Sequence, residues 1–128
     1  MNVIRANFAS NPMTMYTMTK SPDIISVSKV ADGDMMDVHQ WIFYEDLNSK
    51  DETVSLLSFR DENGHVYATQ SDTFKGSFED IIDIIHDADG NDSTVFTIKK
   101  ISGTAKSGRD YINCVLIGIK GQDGKYTV

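Results

Sequence analysis

The chain has 128 residues, 40% of them hydrophobic, and a formal net charge of −7. That length suits one domain with a single core, and such a core needs no disulfide or metal staple. The lone cysteine, Cys114, excludes an intramolecular disulfide, and it lies in an apolar run where a buried thiol is expected. No stretch approaches the roughly 18 apolar residues of a membrane span, and Met1-Asn-Val-Ile-Arg-Ala-Asn-Phe8 lacks the apolar region of a secretion signal. Together these features point to a soluble protein of a reducing compartment.

In chain order, the first punctuation is a pair of prolines, Pro12 and Pro22, flanking Met13-Thr-Met-Tyr-Thr-Met-Thr19. They mark that segment as an edge strand or arm, within an N-terminal arm or extra hairpin covering residues 1–31. Ile24 to Val30 reads as a strand, and Asp32-Gly33 as a turn. A longer β-run from Met35 to Tyr44 follows. Its alternation puts Met36, Val38, Ile42 and Tyr44 on one face, and Asp37, His39, Trp41 and Phe43 on the other. Thr53–Arg60 and His65–Gln70 form a hairpin across Asn63-Gly64, a pair suited to the positive φ angles of a tight turn.

One helix is clear. Ser77-Phe-Glu-Asp80 has the form of a cap, and Phe78, Ile81, Ile82 and Ile85 make an apolar stripe. Gly90 is placed to end the helix in a left-handed conformation. Thr94–Ser102 and Tyr111–Ile119 then flank the glycine-bordered loop Gly103–Asp110, which reads as mobile and cationic. Three strands, a helix and a two-stranded hairpin is the order of an OB-fold, so the expected fold is a mainly β, five-stranded OB-fold-like barrel. One helix lies between strands three and four, with extra strands at the N-terminus.

Charge is segregated along the chain. Residues 1–94 carry six basic and seventeen acidic side chains, a net of −11. Residues 95–128 carry Lys99, Lys100, Lys106, Arg109, Lys120 and Lys125 against Asp110 and Asp123, a net of +4. Motifs of catalysis are missing: there is no phosphate loop, dinucleotide fingerprint or nucleophile elbow, and His39, His65 and His86 lack zinc spacing. Asp87-Ala-Asp-Gly90 fails as a calcium loop, because glycine falls at the fourth position and Ile98 stands where a bidentate glutamate is needed. The reading is therefore a non-enzyme without cofactor or metal.

Single strands of nucleic acid are held by a cationic groove and by aromatic rings on which bases stack. Three places offer these ingredients. Trp41 and Phe43 stand on the face opposite Ile42. Phe59 and Tyr67, with Arg60 beside them, occupy the hairpin that floors the groove of an OB-fold. Lys106 and Arg109 lie in the Gly103–Asp110 loop, with Lys99 on the strand before it and Tyr111 just after; Lys75 adds charge nearby.

Asp32-Gly33, Glu52-Thr-Val54, Val66-Tyr67, Asp80-Ile-Ile-Asp-Ile-Ile85 and Phe96-Thr-Ile-Lys…Gly103-Thr104…Gly108 resemble the single-stranded DNA-binding proteins of small protein-primed Bacillus phages. The resemblance runs from Asp32 to Leu116. It implies one OB-fold per chain coating DNA exposed during phage replication in the host-cell cytoplasm, with no chemistry and an acidic overall charge. It also implies stacking tyrosines, with Tyr67 matching one of them, and basic residues around the groove. Its partners would be single-stranded DNA and replication proteins, not a membrane, and its state a monomer or weak homo-oligomer. The Pro12–Pro22 segment and the loop Asn48–Glu52 depart from that family. The alternative is a non-enzymatic interaction or self-association module that docks through the Trp41/Phe43 face, since aromatic residues are enriched at such surfaces.

Overall fold

The alternation that makes Met35–Tyr44 read as one strand breaks at His39, and the chain bends there. In the computed structural model, which describes residues 1–120 and the backbone of residues 126 and 127, this run is two strands, β3 (Met35–Val38) and β4 (Gln40–Leu47). They belong to different sheets. Before them come β1 (Asn2–Ala6), α1 (Pro12–Thr19), β2 (Ile25–Ser26) and a single 3-10 turn, Val27–Lys29. After them come β5 (Thr53–Arg60), β6 (Val66–Thr69), α2 (Asp72–Asp89), β7 (Phe96–Thr104), β8 (Asp110–Lys120) and β9 (Tyr126–Thr127).

One sheet has the order β1-β4-β5-β6-β2 and the other β3-β7-β8-β9, so the fold is mainly β, in two sheets with two helices. The expected five-stranded closed barrel is not what forms. β6 pairs with β2 in parallel, and β8 pairs with β7 and β9. No ladder joins β6 to β8 among the described residues, so the two sheets meet at an open seam. Ser71 reaches across it, its hydroxyl 3.4 Å from the Ile112 carbonyl oxygen.

The break at His39 sets which residues are core. A one-residue slip moves every following side chain to the other face. Met36 and Val38 therefore share the main core with Trp41 and Phe43, not with Ile42 and Tyr44. Trp41 is 1% exposed and Phe43 8%, which corrects the expectation that both rings stand outside the barrel. What covers them is α2: Phe78 lies 6.5 Å from Trp41 and 5.9 Å from Phe43, edge to face. The Trp41/Phe43 face offers no docking surface.

Ile42 and Tyr44 face the other side, where Met18 of α1 completes a second, smaller core with Val66. Here the N-terminal reading is corrected too. Met13–Thr19 is a helix, not an edge strand or arm, with Asn11 as its cap accepting a hydrogen bond from the Thr14 amide at 2.9 Å and Pro12 in its first turn. Residues 1–31 thus supply an edge strand, a covering helix and a short parallel strand.

Helix α2 starts six residues earlier than the Ser77 signal indicates. Ser71 is the cap, accepting from the Phe74 amide at 3.2 Å, and Phe74 extends the buried stripe by one turn. Its end is as the sequence requires, with Gly90 at φ +73° and its amide bonded to the His86 carbonyl. The β5–β6 and β7–β8 hairpins use one turn design. Gly64 and Gly108 take positive φ, and the flanking pairs Asp61/His65 and Ala105/Arg109 close each turn by a backbone hydrogen bond. Asn63 does not share the positive φ, so the turn is not the two-residue Asn-Gly type. The cationic loop is likewise a compact turn, shorter than the Gly103–Asp110 span.

Two outcomes follow. Phe78→Ala removes the ring that touches both sheets and is expected to cost about 3–5 kcal/mol in chemical denaturation; a loss below 1 kcal/mol would contradict this packing. Burial pushes the Cys114 thiol up to about 12, so at pH 8 a disulfide reagent should modify it only at the rate of unfolding.

Candidate nucleic-acid interface

Of the ten residues that the sequence nominates, the structure removes four from any surface role. Trp41 and Phe43 are buried as described. Phe59 is fully buried, stacked on Phe74 and Phe78 at centroid distances of 6.0 and 5.5 Å. Lys75, 9% exposed, is spent internally: its ammonium donates to the Ser55 carbonyl at 2.9 Å and pairs with Asp72 at 3.2 Å. A long aliphatic stem with a buried, satisfied head ties α2 to β5.

Two more are compromised. Arg60 is half-buried and donates to the Gln40 carboxamide at 3.2 Å. Tyr67 faces the main core, stacked on Phe59 at 5.3 Å, with its hydroxyl 3.4 Å from the Asp61 carboxylate. Desolvation and the nearby Asp61 push its phenol up from the ordinary range. One ring face is thus taken, and the negative charge at its tip disfavours a phosphate. The other face of the β5–β6 hairpin, where an OB-fold would lay its ligand, is covered in part by α1 through Met15 and Met18, while Leu56 and Ala68 on that face line an open depression.

The remaining four converge on the β7–β8 hairpin. Lys99 stands on the outer face of that sheet between its cross-strand neighbours Met35 and Val115. Gly103, four residues along the same face, is opposite Tyr111. Tyr111 is 37% exposed and its ring lies against the Gly103 backbone, where a Cβ would collide with the ring and hydroxyl. Gly103 is therefore the residue that lets the tyrosine sit close, leaving its far side to solvent. Lys106 and Arg109 are exposed in the turn that follows.

Ion pairing engages five cations elsewhere on the molecule, whereas exposed Lys29 and Lys50 have no carboxylate partner among the described residues, like the cations of this tip. Arg5 is held by Asp83 and Asp92, Lys20 by Asp46, Lys100 by Asp32 and Lys120 by Asp37 and Glu62. Lys99, Lys106 and Arg109 have no carboxylate within 4.0 Å among the described residues. Carboxylates near the tip are engaged instead. Asp32 accepts from the Ser102 hydroxyl at 2.6 Å and pairs with Lys100 at 3.0 Å, and these two contacts hold its carboxyl below the usual range. Asp110 accepts from Thr104 at 3.0 Å.

Two depressions adjoin this tip. One, of about 440 Å³, is bounded by Thr104, Tyr111 and Ile112. The other, of about 500 Å³, occupies the open seam between the sheets and shares Ile112. Sequence reasoning missed the seam residues, because Ser26, Gln70 and Ile112 come from separate stretches and carry no common pattern. Among the described residues no helix is long and apolar enough to cross a membrane, and no three His, Cys, Asp or Glu side chains are grouped to hold a metal.

Gly103→Ala is expected to keep the fold and displace the Tyr111 ring, read as shifted ring-proton resonances; unchanged resonances would contradict the contact. Comparison with family models, with curated proteins and with solved structures finds no match to this chain.

Proposed function

We propose that this chain is a non-enzymatic, sequence-tolerant single-stranded DNA-binding protein whose contact surface is the tip of the β7–β8 hairpin and the depressions beside it. The observation that carries the reading is the placement of Lys106 and Arg109, without carboxylate partners among the described residues, in the turn just before a partly exposed tyrosine, with Lys99 on the same sheet face as that tyrosine and four residues before its partner Gly103. Phosphates supply affinity by releasing counterions from such groups, and a ring with one free face supplies a stacking platform.

Element order adds support. A bent first strand shared by both sheets (β3 with β4), the β5–β6 hairpin, α2 and then β7–β8 follow the sequence of an OB-fold, with the barrel left open between β6 and β8. On that reading the 105–109 turn is one of the two loops that flank an OB-fold ligand. The resemblance to phage proteins extends the proposal to its setting: a coat on DNA strands exposed while a phage genome replicates in the host cytoplasm, beside replication proteins.

The account gives binding of oligo-dT that weakens with salt, log Kobs falling by about 0.7 per phosphate contacted. Replacing Lys106 and Arg109 together by alanine should flatten that slope by about 1.4, whereas Lys20→Ala, at a site ion-paired to Asp46, should leave it unchanged. Tyr111→Ala should cost about 1–3 kcal/mol of affinity. Fluorescence anisotropy at several salt concentrations reads all three; salt-independent affinity or an unaltered slope in the double variant would overturn the assignment.

A further inference from the structure

We infer that the open seam between the sheets is a nucleobase subsite in which Gln70 reads the base edge. The inference rests on the single-strand reading above and specifies a part of it. The seam holds a cleft of about 500 Å³ whose lining is apolar at Ile24, Leu56, Ala68 and Ile112 and otherwise polar and uncharged, with Gln70 among its hydroxyl-bearing neighbours. A phosphate finds no counter-charge in such a cleft. An unstacked base fits it: its flat faces are apolar and all its hydrogen-bonding atoms lie at the edge.

Gln70 is the group in position to meet that edge. It is the link between β6 and the Ser71 cap of α2, it is exposed, and its carboxamide makes no hydrogen bond among the described residues. The neighbouring hydroxyls differ. Ser71 is committed to the Phe74 amide and approaches the Ile112 carbonyl, and Thr69 accepts from the Ser71 amide. Those bonds fix the β6–α2 corner and so fix where the Gln70 backbone sits, while its side chain stays available.

Continuity with the cationic tip decides the occupant. Ile112 lines both the cleft and the smaller depression, and that depression is bounded by Tyr111 at the base of the Lys106/Arg109 turn. One strand whose phosphates lie on the turn can stack a base on Tyr111 and drop a neighbouring base into the seam. A carboxamide offers one acceptor and one donor side by side, the pair that adenine complements with its exocyclic amine and ring nitrogen. The subsite is therefore an adenine-favouring position within an otherwise sequence-tolerant grip.

The test measures binding of oligo-dT, oligo-dC and oligo-dT carrying one central adenine, to the intact chain and to Gln70→Ala, at two salt concentrations. Because Gln70 is exposed, the variant is expected to fold; its unfolding midpoint is compared with that of the parent. The adenine-bearing oligomer should bind at least about fivefold tighter than the pure pyrimidine ones, the lower end for a bidentate base contact. Gln70→Ala should abolish that margin and leave the salt slope unchanged. Binding of all three oligomers with equal affinity, or a margin that survives Gln70→Ala, overturns the subsite and leaves the single-strand reading standing. Failure of every oligomer to bind overturns both.

Discussion

Phe78 is the residue through which the two sheets become one core. Its ring contacts Trp41, Phe43 and Phe59 of one sheet and, at 5.5 Å, Phe96 of the other. It is well placed to hold them, because among the described residues the sheets share no ladder at the seam and the chain passes from one to the other at the bend at His39. The constraint propagates outward. With α2 filling the space between the sheets, the seam stays open, the β7–β8 hairpin projects past the core, and its tip keeps its cations and tyrosine in solvent.

Electrostatics follows the same geometry. The chain is acidic overall, and five of its described basic side chains are consumed locally, either in ion pairs such as Arg5 with Asp83 and Asp92 or as satisfied buried heads such as Lys75 and Lys100. Arg5 also lies 5.3 Å from the Trp41 ring, so it clamps β1 to the core and α2 at once. An acidic body repels polyanions everywhere except where cations are left over. That arrangement favours one entry route rather than general adhesion to nucleic acid, because fields of opposite sign on one small molecule orient an approaching ligand.

Much of this was legible in the residues, and the misses have definite causes. The order of β5, β6, α2, β7 and β8, the end of α2 at Gly90, burial of Cys114 and the cationic turn before Tyr111 all follow from local patterns. Trp41 and Phe43 were misplaced because a period-two reading assumes an unbroken strand, and the slip at His39 inverts it. Met13–Thr19 alternates Met and Thr, which imitates a strand, although Asn11 and Pro12 are a helix-start signal; its helix persists because Met18 packs on Ile42 and Tyr44, not from propensity. Ser77 drew the α2 boundary away from Ser71 because both can cap, and only Phe74 packing into the core separates them. The seam was invisible for a different reason. Its walls come from β2, β6 and β8, and a cleft made by the failure of two strands to pair leaves no mark on any one segment.

The central claim is that single-stranded DNA meets this protein at the hairpin tip and nowhere on the faces that α1 and α2 cover. Backbone amide chemical-shift mapping with a saturating oligonucleotide tests it most directly. Perturbations are predicted to concentrate in residues 99–112 and to extend to Gln70 and Ser71, with α1 and β1 silent. Perturbations centred on β4, β5 or α1, or none at all, would contradict it.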